Sequence, residues 1–361
     1  MFKKTWMSGI LALSLAGVGL AGCGTTIDGP GGSTSNSSDS SDGKPKLVIS
    51  TWGFSEDFLQ QSVFEPFEKE HNVDIVLETG NNAERLNKIR QGSSNVDLIY
   101  LSDYYAQQGI DEGLFDTIDR SKIPNIDNIY DIAKAPNGDQ YGPAYTVAQL
   151  GIAYNPDMVS GEVKSWSDLW KPEFKGNLTM PAITATAGPM MVDAASRAAG
   201  NEQFSEDAAF TQLTKLNDSV VKYYSQTSEY VNMIGQGEIA GGPIMEMYFK
   251  DIQAAVPNAK FVSPEDGGYA VINTVNIVKG SANKELAEQF IDWQLGKDVQ
   301  EASAKAKVDS PVNTQVVLTD EEAQGLTYGA DVIESLRKLD MKFVNDNMPT
   351  WTDRWNREIG G

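Results

Sequence analysis

Three short apolar runs, at residues 47–50, 73–78 and 97–101, alternate with two stretches of helical periodicity, and this alternation restricts the fold more than any other feature of the chain. The first run, LVIS, breaks at Trp52-Gly53. Leu59, Val63 and Phe67 then recur at four-residue steps and predict a helix over 57–71, with Pro66 starting its second half or kinking it. Leu86 and Ile89 mark a second helix over 83–91. An apolar run bounded by turn residues reads as a strand buried on both faces. Strands and helices alternating through short connections imply βαβ units and a parallel sheet. Such sheets bind ligands beyond the carboxyl ends of their strands, where Trp52 and the Ser102-Asp103-Tyr104-Tyr105 turn stand.

At 361 residues the chain is long for one core, and two compact units are expected. A β-rich segment at 149–155, after Tyr141-Gly142-Pro143-Ala144-Tyr145, reads as the chain leaving a first lobe for a second. The stretch 166–176, WSDLWKPEFKG, reads as an aromatic surface turn, and 178–181 as a strand end. Thr184 to Pro189 leads into a helix through Ala199, with Thr as cap and Pro just inside. A helix over 204–216, a strand over 220–224 and a capped helix over 227–234 follow, the last with Glu229 in its first turn. Residues 238–247 read as a strand that turns helical through 255, and 261–262 as another strand. The strand at 269–278 carries the chain back. Leu286, Ala287, Phe290, Ile291 and Leu295 mark an amphipathic helix, a second runs to Lys307, a turn occupies 310–313, and the rest is mostly helical. Lobe 1 is therefore expected to comprise 46–144 plus 274–312, and lobe 2 145–273 plus 313–361, with a hinge and a cleft between them.

The amino terminus carries a targeting pattern: Lys3 and Lys4, a short apolar core over 10–20, then Leu20-Ala21-Gly22-Cys23. The core is too short and too broken by Gly for a good membrane span, so 1–22 reads as a cleaved signal peptide. Leu-Ala-Gly-Cys resembles the bacterial lipobox, in which the cysteine is lipidated and becomes the first residue. Cys23 is the single cysteine, so it has no intramolecular disulfide partner, and the Gly/Ser/Asp-rich segment to residue 45 reads as a flexible tether. The tether spans on the order of 25 Å by square-root scaling. The folded body is thus expected outside the cytoplasm, anchored to a membrane surface. Fifty acidic residues against 29 basic ones argue against a nucleic-acid partner, whose phosphates demand a basic face.

Four stretches are similar to the bacterial extracellular solute-binding proteins of the spermidine/putrescine class, which feed ABC importers. They are the strand ending in Trp52, the segment VDLIYLSDYYAQQGIDEG at 96–113, SWSDLWKPEFKG at 165–176, and Glu265-Asp266-Gly267-Gly268 with Ala282-Asn283-Lys284-Glu285 further on. The likeness runs from about residue 47 to 313. It implies an α/β chain with the type II periplasmic-binding-protein fold: two α/β lobes, a hinge, a ligand held between them and closure on binding. It also implies an ABC permease and its ATPase subunits as partners, no cofactor and no covalent chemistry.

Polyamine proteins stack alkylammonium chains on aromatic faces and pair the charged ends with carboxylates. Trp52 and Tyr104 match family aromatics, but Phe54 and Ser55 replace the Glu and Tyr expected after the Trp. Uncharged Thr184 to Ala187 replaces family acids, and Val271 and Asn273 replace a Trp and an Asp. Asp103 and Glu246 are candidate replacements for the lost charge, since a desolvated ammonium needs a countercharge. Alternatively they are solvated rim residues in an acidic chain. Thr184, Thr186 and Gly188 before Pro189, with Thr227 and Ser228, suit an anion or a zwitterion such as an aminophosphonate or amino acid at helix amino termini; the plainer reading is that they cap their own helices. The expected binding set is Trp52, Ser55, Asp103, Tyr104, Thr184, Thr186, Thr227, Glu246 and Asn273.

A metal site has little to work with. Related ferric-ion proteins carry adjacent tyrosines where this chain reads Met247-Tyr248, and His71 is the sole histidine. One histidine and a lipidated cysteine also argue against Ser-His or Cys-His catalysis. A secreted glycosidase using two carboxylates is the alternative of another class, with no local motif behind it.

Overall fold

The structure, a computed structural model, describes residues 43–360. The expected signal peptide, Cys23 and most of the expected tether lie outside the described residues. The first strand, β1 (Lys46–Thr51), leads through α1 (Glu56–Leu59) and a π-helical turn (Gln60–Phe64) into α2 (Glu65–His71). Pro66 is the second residue of α2, which continues directly from the π-helical turn. Strand β2 (Asp74–Thr79), α3 (Asn82–Arg90) and β3 (Leu98–Ser102) complete the alternation, and α4 (Asp103–Asp111) starts directly from β3. After α5 (Asp131–Lys134), the long strand β4 (Ala144–Tyr154) is buried along its whole length.

The next section holds β5 (Leu178–Pro181), α6 (Gly188–Ala198), α7 (Glu206–Asn217), β6 (Val220–Tyr224) and α8 (Thr227–Gly235). It continues with β7 (Gly241–Met245), α9 (Phe249–Ala255) and β8 (Lys260–Val262). Strand β9 (Tyr269–Ile277) then leads to α10 (Lys284–Leu295), α11 (Lys297–Lys305), α12 (Asp320–Ala323), α13 (Ala330–Ser335) and α14 (Met341–Glu358).

The strands join in the order β2-β1-β3-β9-β4-β7-β5-β6, with β8 pairing β4. Strands β1, β2 and β3 are parallel, as are β5, β6 and β7. Between these groups β9 runs antiparallel to β3, and β4 runs antiparallel to both β9 and β7. Parallel groups at either side with long antiparallel strands in the middle explain why the sequence shows βαβ alternation near both ends of the sheet. The core is divided accordingly. Leu47, Ile49, Phe64, Phe67, Phe290 and Leu295 belong to one cluster, and Leu178, Met180, Phe210, Trp351 and Trp355 to another. The two long strands are rooted in both: Val147 and Ile272 in the first, Ile152 and Tyr269 in the second.

Two local expectations change. The aromatic segment at 166–176 is not a surface turn: Trp166 is 1% exposed, Leu169 and Phe174 are buried, and the Trp166 indole donates to Gly267 O at 2.8 Å. Its large side chains bury more apolar area inside the second cluster than a solvated turn allows. Threonine does not cap α6 either. The residue before that helix is Ala187, and no side chain caps it. The backbone turn supplies the bonds instead, Ala185 N to Ala182 O at 2.9 Å and Gly188 N to Ala185 O at 2.8 Å. Gly188 is required there because a Cβ would collide with the Ile183 carbonyl oxygen.

Candidate functional site

The carboxyl ends of β1, β3, β5 and β7 carry Trp52, Asp103, Thr184 and Glu246; Asp103 and Thr184 line one cavity and Glu246 another. The cavity that holds Glu246 has a volume of about 450 Å³. Its walls include Thr146 and Ala148 from β4, Asn273 from β9, and Asp309 and Ser310 from the loop after α11. Asn273 lies in register with both Ser102 and Thr146, which places it at the middle of the sheet. Glu246 is half-buried, and its Oε2 accepts from Gln149 Nε2 at 2.8 Å and from Thr327 Oγ1 at 2.9 Å.

Asp309, which no sequence pattern marks, is another carboxylate of this cavity, beside the exposed Glu321. Desolvation pushes its carboxyl up to about 7. It stands close to the buried Tyr100 and Tyr145, whose phenols are pushed up first by burial and then by its charge. Lys307 also lines the cavity, but its ammonium donates to the carbonyls of Glu321, Glu322 and Gln324. Lys250 is the other basic residue of the wall and is exposed. Asp309 precedes the turn at 310–313, and its loop position has no periodicity that could have signalled it.

Trp52 is half-buried and lines none of the described cavities. Its ring carries the Arg85 guanidinium, with Cζ 4.7 Å from the ring centre, and stacks on Tyr100 with centroids 6.4 Å apart. Ser55 has a left-handed backbone (φ 49°) just before α1 and lines a shallow surface depression that shares Val308 with the Glu246 cavity. Thr227 is the first residue of α8, outside the described cavities; Gln226 and Glu229 form the capping box there.

Asp103, Tyr104, Thr184 and Thr186 come together in a separate, small chamber. Asp103 is 2% exposed, so it is not a solvated rim residue. Burial pushes its carboxyl up to about 7, opposed by hydrogen bonding from Tyr104 and by the charge of Lys338. His71 ends α2 and stacks on Phe67 with centroids 4.1 Å apart.

The described sheet agrees with comparisons to known proteins. The family model for bacterial extracellular solute-binding protein matches residues 93–335, more than half of the chain. The chain belongs to this family of bacterial extracellular solute-binding proteins. The solute-binding protein is 29% identical over 260 residues to a spermidine/putrescine-binding periplasmic protein of Escherichia coli, covering 69% of this chain and 73% of the relative. It is 26% identical over 323 residues to a putrescine-binding periplasmic protein of Escherichia coli, covering 82% and 81%. Among solved structures it resembles an ABC transporter from Clostridium perfringens, with 45% identity and a TM-score of 0.81 over 87% of this chain and 99% of that one. The fold is thus that of the periplasmic binding proteins, and the members of this family bind solutes rather than transform them.

Proposed function

We propose that this solute-binding protein captures a polyamine of the spermidine/putrescine type, or a related organic cation, and hands it to the membrane permease of an ABC importer. The observation that carries the reading is the cavity of about 450 Å³ with Glu246 and Asp309 on its walls. That volume falls in the range of about 300–1,000 Å³ usual for small-molecule sites. Glu246, Asp309 and Glu321 on the walls of one partly desolvated cavity favour a ligand that carries positive charge, because a desolvated carboxylate needs a countercharge. Asn273 and Thr146 add neutral polar groups that orient such a ligand without cancelling its charge. The names of the polyamine-binding relatives support the same solute class.

Residues 46–144 plus 274–312 act as one lobe and 145–273 plus 313–361 as the other, and only contacts made in the closed form shift the balance toward closure. Residues 1–22 act as a signal peptide. Cys23 carries the lipid, the tether to residue 45 holds the folded body at the outer face of the membrane, and ATPase subunits beneath the permease drive release. A zwitterion such as an amino acid or aminophosphonate has one observation in its favour: Lys250 lies on the same wall as Glu246.

Calorimetric titration of putrescine, spermidine, glycine and 2-aminoethylphosphonate into the folded chain tests the reading. Saturable binding of a polyamine that Glu246→Gln weakens is the expected result. Tight binding of a zwitterion with no heat from either polyamine would overturn it.

A further inference from the structure

Glu246 does not stand free on the cavity wall. Two donors converge on one of its carboxylate oxygens, Gln149 Nε2 at 2.8 Å and Thr327 Oγ1 at 2.9 Å, and neither residue lines the cavity. Thr327 lies between α12 and α13 and is 1% exposed. Its hydroxyl accepts from the Gln149 backbone N–H at 2.9 Å, and a hydroxyl has a single proton to give. With its acceptor side engaged by β4, that proton goes to Glu246. The Thr327 backbone N–H donates to Ser310 Oγ at 3.0 Å, and Ser310 O accepts from Thr146 Oγ1 at 2.9 Å. Thr327 therefore joins the long strand β4, the Glu246 carboxylate and the loop that carries Asp309.

Gln149 shows that this arrangement is unfavourable in part. It is 3% exposed, and its Oε1 has no hydrogen-bond partner. Gly268 leaves room for the amide, since a Cβ there would come within 2.9 Å of Gln149 Oε1. A buried amide oxygen without a donor is destabilising, and an apolar side chain of similar size would avoid the penalty. What the glutamine adds is the bond to Glu246. Of the carboxylates on the cavity wall, Glu246 and Asp309 are half-buried and Glu321 is exposed, so the first two meet a solute's charge with less screening.

We propose that Thr327 and Gln149 are positioning residues for the solute: they clamp Glu246 Oε2, leave the other carboxylate oxygen to the cavity, and fix the group relative to Asp309, so that organic dications are selected by the spacing of their charges. The inference rests on the reading of the Glu246 cavity as the solute site. A loose carboxylate would follow whichever ammonium arrives. A clamped one favours the ligand whose second charge falls at Asp309, because charge-assisted bonds are short and preorganised groups lose little freedom on binding.

The test is calorimetric titration of putrescine and its one-carbon-longer homologue cadaverine into the full chain and its variants. Wild type is expected to favour one of them by roughly tenfold. Thr327→Val keeps the backbone bond to Ser310 and removes the hydroxyl. It is expected to lose about tenfold in affinity for the preferred diamine and to bring the two affinities together. Thr327→Ser, which keeps the hydroxyl, restores both. Gln149→Met removes the donor and the unpaired oxygen together, so it should blur the selectivity while unfolding in urea at the wild-type midpoint or above it. In a Glu246→Gln background, Thr327→Val should change affinity less than about twofold, because no charge remains to be placed. Crystal structures without ligand give a readout independent of the solute, with Glu246 keeping its orientation in Thr327→Ser and leaving it in Thr327→Val. Unaltered selectivity in Thr327→Val and Gln149→Met, an equal loss in the Glu246→Gln background, or an unmoved Glu246 in Thr327→Val would each overturn the clamp. If wild type binds neither diamine, the solute reading fails and the selection with it, while the Glu246 orientation still decides the clamp.

Discussion

The Arg85 guanidinium lies over the Trp52 ring, with Cζ 4.7 Å from the ring centre, so the cation that Trp52 meets in this protein is one of its own. Arg85 is 1% exposed and donates to Gly80 O at 2.9 Å, Ser50 O at 3.0 Å and Tyr100 O at 2.5 Å. Desolvation lowers its pKa to about 10, which leaves it charged at neutral pH. The side chain therefore ties the ends of β1 and β3 together and supports the tryptophan from below. Arg85→Leu is expected to lower stability by about 3 kcal/mol, because it leaves buried carbonyls without donors. Arg85→Lys should recover only part of the loss, since one ammonium cannot reproduce the guanidinium fork. Urea unfolding of the three proteins checks both statements; equal midpoints for wild type and Arg85→Leu would refute them.

Glu246→Gln should keep the fold and weaken the solute. The Gln149 and Thr327 bonds go to Oε2, and an amide oxygen can still accept them. What disappears is the charge facing the cavity. A hydrogen bond to a charged group contributes about 1.5–3 kcal/mol, so polyamine affinity is expected to fall roughly 10- to 100-fold. Titration of putrescine into both proteins measures the ratio, and thermal unfolding without ligand should show nearly equal midpoints.

Much of the fold was legible in the residue pattern, and less of the site. The apolar runs ending at Trp52 and Tyr104 became β1 and β3, and the β-rich segments near 150 and 270 became the two long central strands. These were readable because burial imposes a run or a period on many residues at once. Arg85 left no such trace: a lone charge on a helix of mixed polarity reads as solvated until β1 and β3 are placed beside it. Asp309 was silent for a similar reason, since a loop residue gains its surroundings only from elements far off in the chain. Asp103 and Glu246 are each candidates to hold an ammonium, and they line different cavities; which strand ends come together depends on pairings between strands far apart in the chain, which no linear pattern encodes.

The passage of the chain into β4 depends on Gly142. A Cβ at this position would overlap the Val275 carbonyl oxygen, and the Gly142 backbone N–H donates to Asn276 Oδ1 at 3.2 Å. The obstacle is backbone of β9, so it cannot move aside as a flexible side chain would. Gly142→Ala is expected to cost about 2–3 kcal/mol through forced separation of β4 and β9. Thermal and urea unfolding would show the loss. Retained wild-type stability would mean that the two strands separate here without penalty.

Asp103 and Asp309 together set a pH dependence of stability. Both carboxyls are held at about 7 in the folded protein, mainly by desolvation. An unfolded aspartate titrates at about 3.9. Below that value both states are protonated, and the full stability is present. Between about 4 and 7 the folded chain keeps protons that the unfolded chain has released, so unfolding becomes easier as pH rises, and the loss is complete above about 7. A tenfold difference in acidity between the folded and unfolded chain is worth about 1.36 kcal/mol, so the decline is on the order of a few kcal/mol for each group. Asp103→Asn should flatten its share of the slope, and Asp309→Asn the remainder. A bound cation that keeps Asp309 ionised should likewise offset part of the fall at pH 7. Urea unfolding from pH 4.5 to 8, with and without putrescine, measures these slopes; a wild-type stability that rises across this window would contradict the proton-holding state of both aspartates.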